Sequence, residues 1–580
     1  MLDLVLAGGT VVDGMGAPAA VADVGVIGDR IVEVGTITQP TRRRIDVSGR
    51  VVAPGFIDPH THYDAQLMWD PTASPSSLHG VTTVIGGNCG FTLAPVATAG
   101  ASSAQAADNT TYLQRMMARV EGMPLAALEQ GLTWDWRGFA QYLDHLDGSI
   151  GVNAGFLVGH SAIRRAVMGD AATQRVADAV ECEAIVAELE AALDAGALGL
   201  STSRSTTHND GENDPVPSRL ASATELHALA DALRSYPGTT VEFITTGCIN
   251  GFTDEEIDEM IALSATADRP LNWNVLNIDP SHPQQHEHQL AASDRAAASD
   301  ARIVALAMPV NGPSRICFHD YFALYSLPKW KDIFPLPIEQ RMRYFADPVE
   351  RKELNAIATG PEAGALRNLA GWANLEIGET FAPENAILAG RLVRDVAAEQ
   401  GRDPWDVVCD LAVGDGLRTV FWTAGRMSPS AARQRADTLR DPRVLIGGSD
   451  AGAHLDRMCG ARYPTKFLAS YVREAQAMEL EEAVHLLTEV PACYFGLRDR
   501  GTIGVGAYAD LVVFDPTTVD ADRIISVADL PGGAARLTSH AIGVDYVVVN
   551  GQILVDHGDT TGALSGTLLR AGRDTGTVTA

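Results

Sequence analysis

Apolar residues along this chain fall into two textures. At both ends they form short runs broken by Gly and Asp. Examples are "LDLVLAGGTVVDG", "ADVGVIGDRIVEVG" and "RRIDVSGRVVAPG" near the start, and "GTIGVGAYADLVVFDP" and "AIGVDYVVVNGQILVDHG" near the finish. Such runs predict strands joined by tight turns. Neither end has the apolar material for a core of its own. The pattern therefore predicts one small β-sandwich domain built from residues 1–53 and 500–565 together.

Between the ends, short apolar runs alternate with Ala-rich stretches of helical period, such as "ECEAIVAELEAALDAG", which Gly196 stops. That alternation predicts repeated βα units on a parallel sheet, an α/β fold. Eight runs read as strands: "VVAPGFIDPH", "TTVIGGNCG", "GVNAGFLVGH", "GALGLSTS", "TTVEFITTG", "PLNWNVLN", "RIVALAMPV" and "RVLIGGSD". Eight such strands with crossover helices close into a (β/α)8 TIM-type barrel, expected here over residues 54–499. Residues from about 311 to 440 are too many for a connection. They predict an insertion after strand seven, a lid or an interface. Residues 566–580 read as a frayed tail.

Composition narrows the function. Of 580 residues, 46% are apolar and 20% charged, as in soluble globular proteins. A net charge of -29 argues against a nucleic-acid footprint, which needs a basic face, and against anionic membranes. No uninterrupted apolar run reaches the roughly 18 residues of a spanning helix. The start lacks a basic region and carries Asp3, so it reads as strand and turn, not as a signal peptide. The 7 cysteines include no CxxC pair, which predicts free thiols and a cytoplasmic setting. The expected partner is a small-molecule substrate, with no nucleic acid and no membrane. A homo-oligomer is a further expectation.

In a parallel barrel the chemistry sits where strands end. The first strand ends in "DPHTHYD", and residues two apart on a strand point the same way. His60 and His62 therefore project together and can share a cation. The second strand ends in "GGNCG", with Cys89 between small residues; the last ends in "GGSDAGAH", with Asp450 at its tip. Each signal also has an ordinary reading: histidines in a polar loop, a small buried hydrophobe, a capping aspartate. Together they bring nitrogen, sulfur and carboxylate oxygen to one place, a donor set that suits zinc.

The pieces "APGFIDPHTHYD", "GVTTVIGGNCGFTLAPV", "LVGHSAIR", "GALGLSTS" and "GGSDAGAH" resemble the amidohydrolase superfamily. Within it, they resemble the N-acyl-D-amino-acid deacylases (D-aminoacylases). The resemblance implies a metal-dependent hydrolase of a C–N amide bond, acting on an N-acyl-D-amino acid. It implies that His60, His62, Cys89 and Asp450 hold zinc, with Cys89 in the role of a carboxylated lysine and Asp450 also the general base. His160 in "VGHSAIR" would contact substrate, and His454 would orient Asp450 or shape the pocket. Arg462 in "CGARYPTKFL", with Arg457 second, would bind the substrate carboxylate.

The chain departs from the family where strands five and six should end in metal histidines. "VEFITTG" and "NWNVLN" contain none; Glu242, Asn272 and Asn274 are the nearest polar residues. Three arrangements remain open. One ion sits on His60, His62, Cys89 and Asp450; or Glu242 or His208 completes an altered second site; or catalysis is lost. A hydrolase of cyclic amides and a non-catalytic scaffold are the rival functions. The acidic run "HNDGEND" reads as a solvated loop, and "SHPQQHEHQ" as a polar loop or helix start.

Overall fold

A computed structural model describes the whole chain except residues 281, 311, 320–323, 325, 326 and 424–426, and the side chains of residues 250, 364, 365 and 368. The chain opens with strands Leu2–Val11 (β1), Ala20–Ile27 (β2), Arg30–Gly35 (β3), Thr41–Asp46 (β4) and Val51–Pro54 (β5). β2 pairs antiparallel with β1 and β3, whereas β4 and β5 run parallel to β1.

The run "VVAPGFIDPH" is not one strand. It divides into β5 and Phe56–Asp58 (β6), which belong to different sheets. Gly55 makes the passage, because a Cβ there would lie 2.2 Å from the Thr82 side chain. After β6 come Val81–Gly86 (β7), Asn153–Phe156 (β8), Val158–Gly159 (β9), Gly199–Ser203 (β10), Thr240–Ile244 (β11), Leu271–Asn274 (β12) and Ile303–Ala307 (β13). All neighbouring pairs among them are parallel. Every residue of β7, β8, β10, β12 and β13 is buried, the mark of strands covered on both faces. Apolar residues from successive strands, including Ile57, Ile85, Leu198, Leu306 and Leu445, share one core cluster.

Residues Asn311–Arg426 with Asp456–Met458 form a second compact unit. It holds Arg315–Cys317 (β14), Glu376–Ile377 (β15) and Val420–Trp422 (β16), antiparallel, and helices around a core that includes Phe318, Trp330, Phe345, Trp405 and Phe421. The insertion expected to 440 thus ends near 426, and several of its residues lie outside those described. The helix Pro429–Leu439 belongs to the first unit, which comprises Met1–Val310, Met427–Leu455 and Cys459–Ala580.

The next strand, Val444–Ile446 (β17), pairs parallel with β13. Leu511–Phe514 (β18) then returns to the first sheet between β5 and Val544–Val549. Both chain ends therefore build one nine-stranded sheet, whose apolar face packs Leu6, Val24 and Val52 with Leu511, Val513 and Val548.

The expectation of a frayed tail is corrected. Leu568 and Leu569 are buried, Leu568 bridges Ala154 in parallel, and the Thr575 hydroxyl donates to the Gly238 carbonyl at 2.8 Å. The apolar pair supplies core contacts that a solvated end lacks. Among the described residues, no helix is long and apolar enough to cross a membrane.

Candidate metal centre

The "DPHTHYD" segment leaves β6 as a short bent loop clamped on both sides. The Thr61 N–H and hydroxyl both donate to the Ile85 carbonyl at 2.9 Å, and the His62 N–H donates to the Ala451 carbonyl at 2.7 Å. Thr61 and Ala451 form an isolated parallel bridge. The chain can come this close because of Gly452, at φ +91°, where a Cβ would stand 2.3 Å from the His62 carbonyl oxygen. Asp58 Oδ1 accepts the His60 N–H at 3.4 Å and the Ser449 N–H at 3.5 Å, tying the tips of β6 and β17. Burial pushes the Asp58 carboxyl up to about 6.

The Cys89 loop is pinned as firmly. The Asn88 amide donates to the Thr61 and Ile85 carbonyls at 3.1 and 3.0 Å, and the Gly90 N–H donates to Ser201 Oγ at 2.9 Å. The Cys89 N–H donates to Glu242 Oε2 at 2.9 Å. Cys89 and Asp450 both sit in the left-handed region, at φ 58° and 52°. Such a backbone costs about 1–3 kcal/mol at a non-glycine residue and persists where its surroundings demand it.

These loops bring the predicted side chains together. The ligand atoms of His60, His62 and Cys89 lie within 4.8 Å of one another, all buried. His60 Nε2 is 3.6 Å from Cys89 Sγ and 3.1 Å from Asp450 Oδ1. The two imidazoles stand edge to face with centroids 5.2 Å apart. Burial, with the charge on His60, drives His62 down to about 3, so its ring is neutral, as a ligand must be. Although burial opposes it, the His60 contact holds the Asp450 carboxyl far below the usual range. Burial and then the carboxylates of Glu242, Glu121 and Asp450 push the Cys89 thiol well up. A pocket lined by one thiol and three carboxylates is a field that favours a cation. Its nitrogen, sulfur and oxygen donors fit a zinc-type ion.

The remaining candidates separate. Glu242, at β11, is at the cluster, but its oxygens are engaged by the Cys89 N–H and the Asn274 amide. Burial pushes its carboxyl up to about 7. His208 shares the electrostatic field of His60 and Asp450; its Nδ1 lies 2.8 Å from Ser203 Oγ, and its ring stands 5.2 Å from Phe91. His454, at φ 51°, contributes to holding Asp450 ionised.

His160 faces elsewhere. It is fully buried between Thr202 and Glu225, at 2.8 Å from each, so both ring nitrogens are engaged within the protein. Arg462 is likewise not brought to the cluster. Its guanidinium donates to the Asp522 carbonyl at 3.1 Å, because the segment that carries it is drawn to the C-terminal strands by Lys466 and Arg473, both paired with Asp520. Arg457 belongs to the second unit. The run "SHPQQHEHQ" opens the helix Pro283–Ala297, and its first residue, 281, lies outside the described ones.

One residue at the cluster has no counterpart in the sequence reading. Glu121 follows the helix Ser103–Val120, is buried, and places Oε2 3.4 Å from His62 Nε2.

The sequence model of the amidohydrolase family matches residues 43–555. The chain belongs to the amidohydrolase family. Its amidohydrolase relatives include the D-aminoacylase of Alcaligenes xylosoxydans xylosoxydans, 32% identical over 98% of this chain and 97% of that one. A solved D-aminoacylase, described as having a binuclear metal centre, superposes with a TM-score of 0.62 at 29% identity, covering 98% of this chain and all of that one. The N-acyl-D-glutamate deacylase of Bordetella bronchiseptica was solved with zinc and a phosphonate mimic of the tetrahedral intermediate. It gives a TM-score of 0.61 at 27% identity, over 98% of this chain and 100% of that one.

Proposed function

We propose that this amidohydrolase cleaves the amide bond of N-acyl-D-amino acids with a water nucleophile, one bound zinc ion and Asp450 as general base. The observation that carries the reading is the convergence of His60, His62, Cys89 and Asp450 from three strand tips. The D-aminoacylase and D-glutamate deacylase relatives supply the substrate class. We read these parallel strands, with β8 and β9 as one strand interrupted at Leu157, as a (β/α)8 barrel. The two parallel sheets, β6–β7–β8 and β9–β10–β11–β12–β13–β17, follow chain order, and the isolated Thr61–Ala451 bridge just past the ends of β6 and β17 supports closure. The nine-stranded sheet of the two chain ends is read as the small β-domain beside it.

A cation held there would polarise the scissile carbonyl and lower the pKa of water toward neutrality. Asp450, kept ionised by His60, accepts the proton of the attacking water and delivers it to the leaving nitrogen. Cys89 and the two imidazoles supply the donor atoms, and Asp58 and Asn88 fix the loops that carry them. Water adds directly to the carbonyl, so no acyl-enzyme forms.

A single ion is favoured because Glu242 spends both oxygens within the protein. Asn272 is spent too: its amide donates to Asn274 at 3.1 Å, and its carbonyl accepts the Tyr494 hydroxyl at 3.1 Å. Metal analysis of the purified chain is expected to return about one equivalent of zinc; two equivalents would restore the second site. The function itself is tested on paired N-acyl-D- and N-acyl-L-amino acids. Turnover of the D series is expected, and inertness toward both series would defeat the proposal.

A further inference from the structure

The geometry points to Glu121 as an additional ligand of the cation, a carboxylate taking up part of the coordination that strands five and six do not supply. This rests on the metal site proposed above. Two donors bound to one zinc-sized ion at about 2.0–2.1 Å sit about 3.3–3.4 Å apart, and a nitrogen–sulfur pair about 3.6 Å apart, at tetrahedral angles. His62 Nε2 and Glu121 Oε2 stand at 3.4 Å, and His60 Nε2 and Cys89 Sγ at 3.6 Å. Both contacts thus have the spacing of ligands around a shared ion. A direct N–H···O hydrogen bond would be shorter, about 2.7–3.2 Å.

The backbone placement is independent of those distances. The Glu121 carbonyl accepts the His454 N–H at 2.5 Å, which docks the end of the helix Ser103–Val120 on the loop that carries Asp450. Gly122 follows at φ +58°, where a Cβ would stand 3.3 Å from His454 Cα. The Glu121 side chain is 4% exposed and the His62 side chain 1%. The cost of burying a carboxylate is offset best by an opposite charge held close to it. The Glu121 charge also reaches Cys89. Glu121 therefore reaches His62 from a helix end, whereas His60, His62, Cys89 and Asp450 come from loops at strand tips.

Cobalt(II) substitution of the full chain tests this without relying on turnover. In the parent protein, a thiolate-to-cobalt charge-transfer band reports Cys89, and the visible d–d bands report coordination number. In Glu121→Gln the charge-transfer band is expected to persist and the d–d bands to change in position and intensity. Cobalt affinity, measured against a competing chelator, is expected to fall at least about tenfold. Glu121→Asp, which keeps a shortened carboxylate, is expected to fall between the two. Unchanged d–d bands and affinity in a Glu121→Gln protein with native circular dichroism would overturn the assignment. If Glu121→Gln does not fold, Glu121→Asp decides alone, and parent-like bands and affinity there count against it. Loss of the charge-transfer band in the parent itself would instead remove the site on which the inference rests.

Discussion

Asp450→Asn is expected to lower kcat by about 10²–10⁴-fold, the range of general acid–base catalysis, while the protein remains folded. The amide is nearly the shape of the carboxylate but cannot take a proton from water. The backbone at residue 450 is at φ 52°, a conformation that asparagine adopts as readily as aspartate, so the substitution adds no strain. The side chain also stands 3.1 Å from His60 Nε2, so metal content must be measured beside the rate. A variant that keeps its zinc and loses turnover isolates the proton-transfer role. One that loses both is assigned to ligation, and reloading with excess zinc separates the two. Unchanged kcat would remove Asp450 as the base.

That site was legible in the sequence for a geometric reason. Chemistry at strand tips leaves a local mark: an HxH pair directly follows the first strand, although on a bent loop and not on the strand itself, and glycines near Cys89 and Asp450 announce tight turns. The same logic fails where a side chain comes from a helix end. Nothing in "RVEGM" distinguishes Glu121 from an ordinary solvated glutamate; its place beside His62 goes with the docking of its carbonyl on His454, far along the chain. Arg462 stands apart from the cluster for the opposite reason. Its neighbourhood resembles a family segment, but the acidic pull of Asp520 on Lys466 and Arg473 sets the direction of that segment, and Asp520 lies far along the chain. The division of "VVAPGFIDPH" between two sheets was hidden because both halves are apolar and buried. Pattern reports burial there, not which sheet does the burying. The tail was misread because two leucines among polar residues are a weak signal until the third strand is placed beside them.

His160 leads to the other large effect, on stability. Its Nε2–H donates to Glu225 Oε1 at 2.8 Å, and its Nδ1 accepts from the Thr202 hydroxyl at 2.8 Å, because a carboxylate can only accept. Burial lowers the His160 pKa, which leaves the ring neutral, so the charge balancing Glu225 is the Arg164 guanidinium hydrogen-bonded to its other oxygen. The Arg164 and Glu225 side chains are both 0% exposed. Arg164→Met strands a buried carboxylate and is expected to cost about 3–5 kcal/mol, read as a lower urea midpoint at neutral pH. The double variant Arg164→Met/Glu225→Gln removes both charges and is expected to recover much of that loss. Against the opposing effect of burial, His160 and Arg164 hold the Glu225 carboxyl down to about 2. A group depressed in the folded state contributes stability that is present above its unfolded pKa, about 4.3 for glutamate. That stability is lost as pH falls from there through about 2. The parent should therefore lose stability more steeply than the double variant between about pH 4 and pH 2. Equal slopes in that window, or a single-variant cost under about 1 kcal/mol, would show that this enclosed pair does not hold the helix His160–Met168 to the helix Ala223–Leu233.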